Sequence, residues 1–133
     1  MSELKWNEYE VIECLGVLPE KEEFFTSYNF RFNKDGLFLE MTIWPYESCI
    51  ALSISKESDE KPFMTIYFIV RDKLEFISAK NFASLQFLDA LLVSSRFWMS
   101  RPEKIQNYFD KNIFAKQTDF ELIVYPRLEF KVL

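Results

Sequence analysis

The chain has 133 residues, of which 49% are hydrophobic and 28% charged, a composition that is typical of a globular protein and excludes a disordered or fibrous one. It contains no histidine and only two glycines, so the Ser-His-Asp triad, the HExxH zinc motif and the glycine-rich phosphate loops are all excluded. The net charge of -5 argues against nucleic acid as the main partner, because neutralisation of phosphates dominates that affinity. The length predicts a single domain, residues 1–133.

A short helix is the first element that the sequence predicts, over residues 8–15. Asn7 can cap it, and Glu10 lies at the position that completes a capping box. On a helical wheel the apolar residues share one side and the glutamates the other. Gly16 suits the position after a helix C-terminus. A strand remains the alternative, because the same residues also alternate loosely.

From residue 24 the hydrophobic period changes to two, which is typical of strands. Residues 24–33 and 37–44 alternate on either side of Asp35-Gly36, the strongest hairpin signal in the chain. Segments with similar spacing follow, as in an antiparallel meander. These further strands are predicted at residues 50–54, 63–70 and 73–78, the last after a turn at Arg71-Asp72.

Residues 82–93 fit either a helix or a strand. Asn81 could cap a helix, but Ser84 stands where a capping box needs glutamate or glutamine. We interpret the segment as a strand that continues the meander. A last strand is predicted around residues 120–124, where Pro126 implies either a kinked edge strand or two short strands.

A second helix is predicted over residues 101–112. It begins at Ser100-Arg101-Pro102-Glu103, which combines a capping serine, a proline in the first turn and a glutamate three residues after the serine. The predicted fold class is therefore α+β: an antiparallel meander of about six or seven strands, with two short helices (8–15 and 101–112) packed on one face or end.

The negative charge is concentrated at one end of the sequence. Residues 1–23 contain seven glutamates and two lysines, whereas the rest of the chain is neutral overall. An acidic surface at this end could dock a basic partner; the alternative is a solvated face that maintains solubility. Its candidate residues are Glu10, Glu13, Glu20, Glu22 and Glu23.

Two aromatic residues at a strand end, Trp44 and Tyr46, are candidate binding anchors. The alternative is a packed corner of the sheet. Cys14 and Cys49 lack CxxC spacing and are interpreted as buried thiols. We expect neither a cofactor nor a metal. No segment has the pattern of a signal peptide or a membrane span, so we expect a cytoplasmic protein without membrane contact. The oligomeric state cannot be predicted from the sequence.

No catalytic motif is present, and the prediction is therefore a non-enzymatic protein. In its small size, acidic charge and aromatic content the chain resembles, in general style, the immunity proteins that neutralise bacterial toxins. This resemblance implies a protein-binding module whose acidic surface meets a basic partner. The alternative is a small-ligand carrier with an aromatic-lined pocket between a curved sheet and a helix. An enzyme that uses carboxylates or Cys49 is a third hypothesis.

Overall fold

The computed structural model describes residues 3–95 and 118–133. Within these two ranges the chain forms one α-helix, α1 (Glu8–Leu15), and one antiparallel sheet of eight strands that lie side by side in chain order. The strands are β1 (Glu20–Lys21), β2 (Tyr28–Lys34), β3 (Leu37–Trp44), β4 (Cys49–Lys56), β5 (Met64–Ala79), β6 (Phe82–Val93), β7 (Thr118–Tyr125) and β8 (Glu129–Val132). The α+β meander is confirmed, but its sheet is larger than the predicted six or seven strands. The second predicted helix, at 101–112, lies outside the described residues.

Helix α1 has the predicted bounds. Asn7 Oδ1 accepts hydrogen bonds from the backbone N–H groups of Tyr9 (2.9 Å) and Glu10 (3.2 Å), so the cap is formed. At the other end Gly16 adopts a φ of 73° and its N–H donates to Ile12 O, as a left-handed C-terminal residue does. The apolar side of the helix is buried. The strand alternative for this segment is wrong.

The hairpin predicted at Asp35-Gly36 is confirmed. Both residues have positive φ angles, 54° and 78°, which suit the type I′ turn that matches the twist of the flanking strands. Strands β2 and β3 pair in full register from Tyr28–Ile43 to Lys34–Leu37. Strand β2 begins at residue 28 and not 24, because residues 23–25 form a short 3₁₀ turn.

The turn predicted at Arg71-Asp72 is wrong. Residues 64–79 form one 16-residue strand, and the pairing register shifts between Val70 and Lys73, as at a β-bulge. Arg71 Nε lies 2.6 Å from Asp89 Oδ2 on the neighbouring strand β6. The charged pair that resembled a turn in the sequence therefore stays inside the sheet, because a cross-strand partner neutralises the arginine.

The two ambiguous regions near the end of the meander are settled by the pairing. Residues 82–93 form strand β6, and Asp89, with a φ of 56°, lies at a second register shift. Pro126 separates β7 from β8, so the alternative with two short strands is confirmed. Strand β1 has only two residues, too few for a period-two pattern to predict it.

The main core lies on the concave face of the sheet. Phe68 of β5 is fully buried; its ring stacks on Phe87 at 4.8 Å and meets the rings of Phe120 at 5.4 Å and Phe130 at 5.9 Å. Since Phe130 belongs to β8, three strands away, the sheet must curl strongly. Helix α1 packs against β5 and β6 and adds its buried residues to this core.

One hydrogen bond joins the two halves of the curled sheet. Asp35 Oδ2, at the tip of the β2–β3 hairpin, accepts from the backbone N–H of Leu128 at 2.7 Å, just before β8 begins. Beside this contact, Lys34 Nζ lies 5.5 Å from the centre of the Tyr125 ring. The tip of the β2–β3 hairpin and the β7–β8 turn are therefore in contact.

We call the opposite, convex side of the sheet the outer face. It carries the strand residues that alternate with the core residues. On β6 and β7 it holds a buried carboxylate: Glu121 Oε2 accepts from Ser84 Oγ (2.8 Å) and Gln86 Nε2 (3.0 Å), and Lys131 Nζ lies 3.6 Å from Oε1. Burial alone would raise the pKa of Glu121, but these hydrogen bonds and the lysine charge outweigh it and lower the pKa.

Glu121 should make the stability of the fold depend on pH. Its pKa is lower in the folded state than in the unfolded state, so its contribution is complete above the unfolded pKa and is lost as the pH falls through the folded pKa. We expect the free energy of unfolding of Glu121→Gln to fall less than that of the wild type between neutral and acidic pH. Urea melts across this range measure it. Glu129→Gln, at an exposed position on β8, is the control and should follow the wild type. Parallel curves for Glu121→Gln and the wild type would contradict the assignment.

Candidate protein-binding surface

An open groove of about 330 Å³ lies where the outer face reaches strand β1. We call it the edge groove. Its walls come from β1, β2 and β3, and they consist of polar and charged side chains with one tryptophan. The lining residues are Glu20, Lys21, Glu22, Ser27, Asn29, Arg31, Thr42 and Trp44.

Ion pairs hold the charged residues of the edge groove in place. Arg31 lies opposite Glu40 in the β2–β3 register, and its Nε is 2.7 Å from Glu40 Oε2, with Glu20 Oε1 3.8 Å from its Nη1. Lys21 Nζ is 2.9 Å from Glu8 Oε2, which fastens β1 to α1, and the hydrogen bond to Glu8 raises the pKa of Lys21. Both cations of the groove are thus already paired with carboxylates.

A second groove, of about 230 Å³, adjoins the first along the outer side of β3. We call it the loop groove, because the β4–β5 loop forms one wall. Its lining includes two of the three acids of that loop, Asp59 and Glu60, but not Lys61. The lining residues are Phe38, Glu40, Ser53, Ser55, Asp59, Glu60 and Pro62. Alternation along β3 places Phe38 and Glu40 on the same side as Thr42 and Trp44, so the two grooves form one continuous strip.

Carboxylates from three separate parts of the chain meet on this strip. We call them the acidic surface: Glu20, Glu22, Glu40, Asp59 and Glu60. The two grooves are lined by these five carboxylates and by two cations, Lys21 and Arg31, so the carboxylates outnumber the cations by three. The strip therefore presents a net negative charge to a partner.

The structure brings together three of the seven residues that the sequence singled out: Glu20, Glu22 and Trp44 line the edge groove. Trp44 is half-buried and packs against Cys49 and Ile69, so the packed-corner alternative holds for part of its side chain. The remaining predicted residues lie elsewhere. Glu10 lines a groove beside Lys5 and Lys73, Tyr46 lines a third groove described below, and Glu13 and Glu23 are exposed but line neither the edge groove nor the loop groove.

Glu40, Asp59 and Glu60 were not predicted as part of a binding surface. In the sequence they belong to a stretch that is neutral overall, and the loop acids stand between Lys56 and Lys61. The available signal was the hairpin register, which puts Glu40 on the same side of β3 as Trp44. The loop acids had no such signal, because a loop has no periodicity that fixes where its side chains point.

An aromatic groove of about 250 Å³ lies beside the start of β2. The Trp6 and Tyr28 rings meet edge to face, with centres 4.9 Å apart and planes at 73°. The backbone N–H of Leu4 donates to Pro45 O at 2.9 Å, which holds the N-terminal segment against the turn that carries Tyr46. The lining residues are Glu3, Leu4, Trp6, Tyr28, Pro45 and Tyr46.

Both cysteines are buried, as predicted. Burial raises the pKa of Cys14 to about 12, and the charge of Glu13 adds to the effect, so its thiol stays protonated at neutral pH. Among residues 3–95 and 118–133 no group of three or more cysteine or acidic side chains could hold a metal ion. In the same part of the chain no helix is long and apolar enough to cross a membrane.

Comparison with known proteins gives one structural similarity of interest. No protein-family model matches the chain, and no curated protein matches it. Among solved structures, one chain of a contact-dependent growth inhibition toxin–immunity protein complex from Klebsiella pneumoniae 342 has a similar fold. The TM-score is 0.65, and the match covers 98% of this chain and 96% of that chain at 12% identity. At this identity the similarity shows the fold alone.

Proposed function

We propose that this chain is a non-enzymatic immunity-type protein, which neutralises a basic toxin by binding it on the acidic surface. The observation that carries the proposal is the convergence of five carboxylates on two adjoining grooves. The acidic surface draws on β1, β3 and the β4–β5 loop, so the concentration of charge is a property of the fold and not of one acidic segment. The fold similarity to a chain of a toxin–immunity complex supports the choice of partner.

Charge complementarity gives the physical reason for binding. An acidic strip raises the local concentration of a basic partner and speeds its encounter, and it disfavours acidic competitors. Trp44, half-buried at one end of the strip, offers apolar area that an approaching partner can cover. The sequence provides no histidine for acid–base catalysis, and both the Cys49 and the Cys14 side chains are buried, so binding is proposed and not catalysis.

The small-ligand carrier is the less favoured candidate. In the described part of the chain the concave face is filled by the Phe68, Phe87 and Phe120 rings, where a carrier would need an empty pocket. The groove between the sheet and α1 is open, and four of its eight lining residues are charged.

Growth rescue tests the proposed function. The proteins encoded beside this chain are expressed one at a time in bacteria, alone and together with it. We expect one of them to be basic, to stop growth when expressed alone, and to permit growth when this chain is present. The two proteins should also co-purify as a stoichiometric complex. If no neighbouring protein arrests growth, or if an arrest persists in the presence of this chain, the immunity role is wrong.

A further inference from the structure

The aromatic groove has the composition of a cation-binding site. Three of its six lining residues are aromatic (Trp6, Tyr28 and Tyr46), one is the carboxylate Glu3, and none is a lysine or arginine. The edge groove contains Arg31 and the groove beside Glu10 contains two lysines, so both already hold cations of their own. In the described part of the chain the aromatic groove is instead lined by three aromatic side chains and a carboxylate, and the lysine that lies over one of its rings, Lys21, is paired with Glu8.

The ring geometry supports the same conclusion. Trp6 and Tyr28 stand nearly perpendicular, so they form two adjoining walls of a corner. Indole and phenol faces attract cations through their quadrupoles, indole most strongly. Tyr28 already shows this property, because Lys21 Nζ lies 5.6 Å from its ring centre. The Tyr46 side chain is 60% exposed and therefore accessible to a partner.

Lys21 also shows that the aromatic groove borders the acidic surface. It lines the edge groove and at the same time lies over the Tyr28 ring. A basic partner seated on the acidic surface would thus have the aromatic groove at its margin. The negative field of the surface and the Glu3 carboxylate both favour a positively charged side chain at that point.

We infer that the aromatic groove binds an arginine side chain of the basic partner. The planar guanidinium can stack on one ring while its N–H groups reach the Glu3 carboxylate, a combination that the compact lysine ammonium does not offer. The choice of partner as the source of this arginine rests on the proposed function. The capacity of the groove to bind a guanidinium does not.

Free arginine derivatives test the groove without the partner. The protein is titrated with Nα-acetyl-arginine amide and followed by the NMR signal of the Trp6 indole N–H, identified from the spectrum of Trp6→Phe. We expect a saturable shift of this signal, with the Trp44 indole unaffected. Nα-acetyl-citrulline amide has nearly the same shape without the charge and should bind at least about threefold more weakly. Equal binding of the two compounds, or no shift of Trp6, would overturn the inference.

Variants locate the site. Tyr46→Ala and Glu3→Gln should each weaken the arginine derivative about threefold or more, and both positions are exposed, so the fold should persist. Tyr9→Ala is the matched control, because Tyr9 is 79% exposed on α1 and does not line the groove. Unchanged binding in Tyr46→Ala and Glu3→Gln would place the site elsewhere and refute the assignment.

Two further measurements separate this inference from the proposed function. Tetramethylammonium serves as a small quaternary ammonium ligand. If it binds more tightly than the arginine derivative, the groove is a site for a free small molecule, and the inference that it binds an arginine side chain is wrong. Once the toxin is identified, its affinity for Tyr46→Ala is compared with the wild type. An unchanged affinity would show that no arginine of the partner binds in the aromatic groove, and the proposed function would still stand. A loss of affinity of at least about threefold would support binding of the partner's arginine there.

Discussion

A Phe68→Ala variant is expected to lose about 3–5 kcal/mol of the free energy of unfolding, the range measured for deletion of a buried aromatic ring. The Phe68 side chain is fully buried and touches Phe87, Phe120 and Phe130, which belong to three other strands. Its removal leaves a cavity at the point where the curled sheet folds on itself. A loss of this size is a large fraction of the roughly 5–15 kcal/mol by which a domain is stable.

Urea melts followed by circular dichroism measure this effect. Phe63→Ala is the matched control, since Phe63 is 58% exposed and its loss should change stability by no more than about 0.5 kcal/mol. Should Phe68→Ala fail to fold, Phe68→Leu, which leaves a smaller cavity, provides the measurable intermediate. Equal midpoints for the Phe68 and Phe63 variants would show that the ring cluster does not hold the sheet together.

Neutralising part of the acidic surface is expected to slow association with the basic partner at least about tenfold at low salt. The variant combines Glu22→Gln, Asp59→Asn and Glu60→Gln, three exposed positions whose side-chain shapes are kept. The dissociation rate should change much less, because exposed charges steer the encounter more than they hold the complex. Stopped-flow binding across a salt series measures both rates.

The control carries the same change in net charge at other glutamates: Glu10→Gln, Glu13→Gln and Glu23→Gln. These residues belong to the acidic end predicted from the sequence but line neither the edge groove nor the loop groove. We expect this variant to associate at close to the wild-type rate. Equal slowing of both variants would show that net charge and not the acidic surface controls encounter, and a larger effect in the control would favour the original prediction of an acidic N-terminal surface.

The elements whose formation depends on residues close together in the sequence were predicted correctly. Helix α1 followed from a cap, an apolar side and a terminal glycine, and the β2–β3 hairpin followed from two turn residues with favourable positive φ angles. The single long strand β5 did not, because Arg71 and Asp72 have the composition of a turn. Both residues stay in the strand because Arg71 pairs with Asp89, which is 18 residues away in the sequence. A pattern of neighbouring residues cannot predict a pair that is so far apart.

The candidate surface was predictable only in part for a related reason. Trp44, Glu20 and Glu22 stood out because an aromatic residue at a strand end and a run of acids are visible in the sequence. Asp59 and Glu60 lie near them because the sheet brings the distant β4–β5 loop beside β3. Neither the composition nor the hydrophobic periodicity of the sequence predicts this placement. The aromatic groove likewise combines Trp6 with Tyr28, from two elements whose contact the sequence does not encode locally.

The lengths of the edge strands determine how readily another chain can add a strand to the sheet. The two outermost strands of the described sheet are also its shortest, β1 with two residues and β8 with four, and each carries a lysine. The long strands β5 and β6 lie in the middle and pair with each other over most of their length, while β4 pairs with β5 from Met64 to Ile69 and β7 pairs with β6 from Ala83 to Ala90. A long unpaired edge strand exposes a row of backbone N–H and C=O groups to which another chain can add a strand. A short, charged edge strand exposes few such groups. Short, charged outer strands disfavour strand addition at these two ends of the described sheet, so we expect the proposed partner to contact side chains on the faces of the sheet.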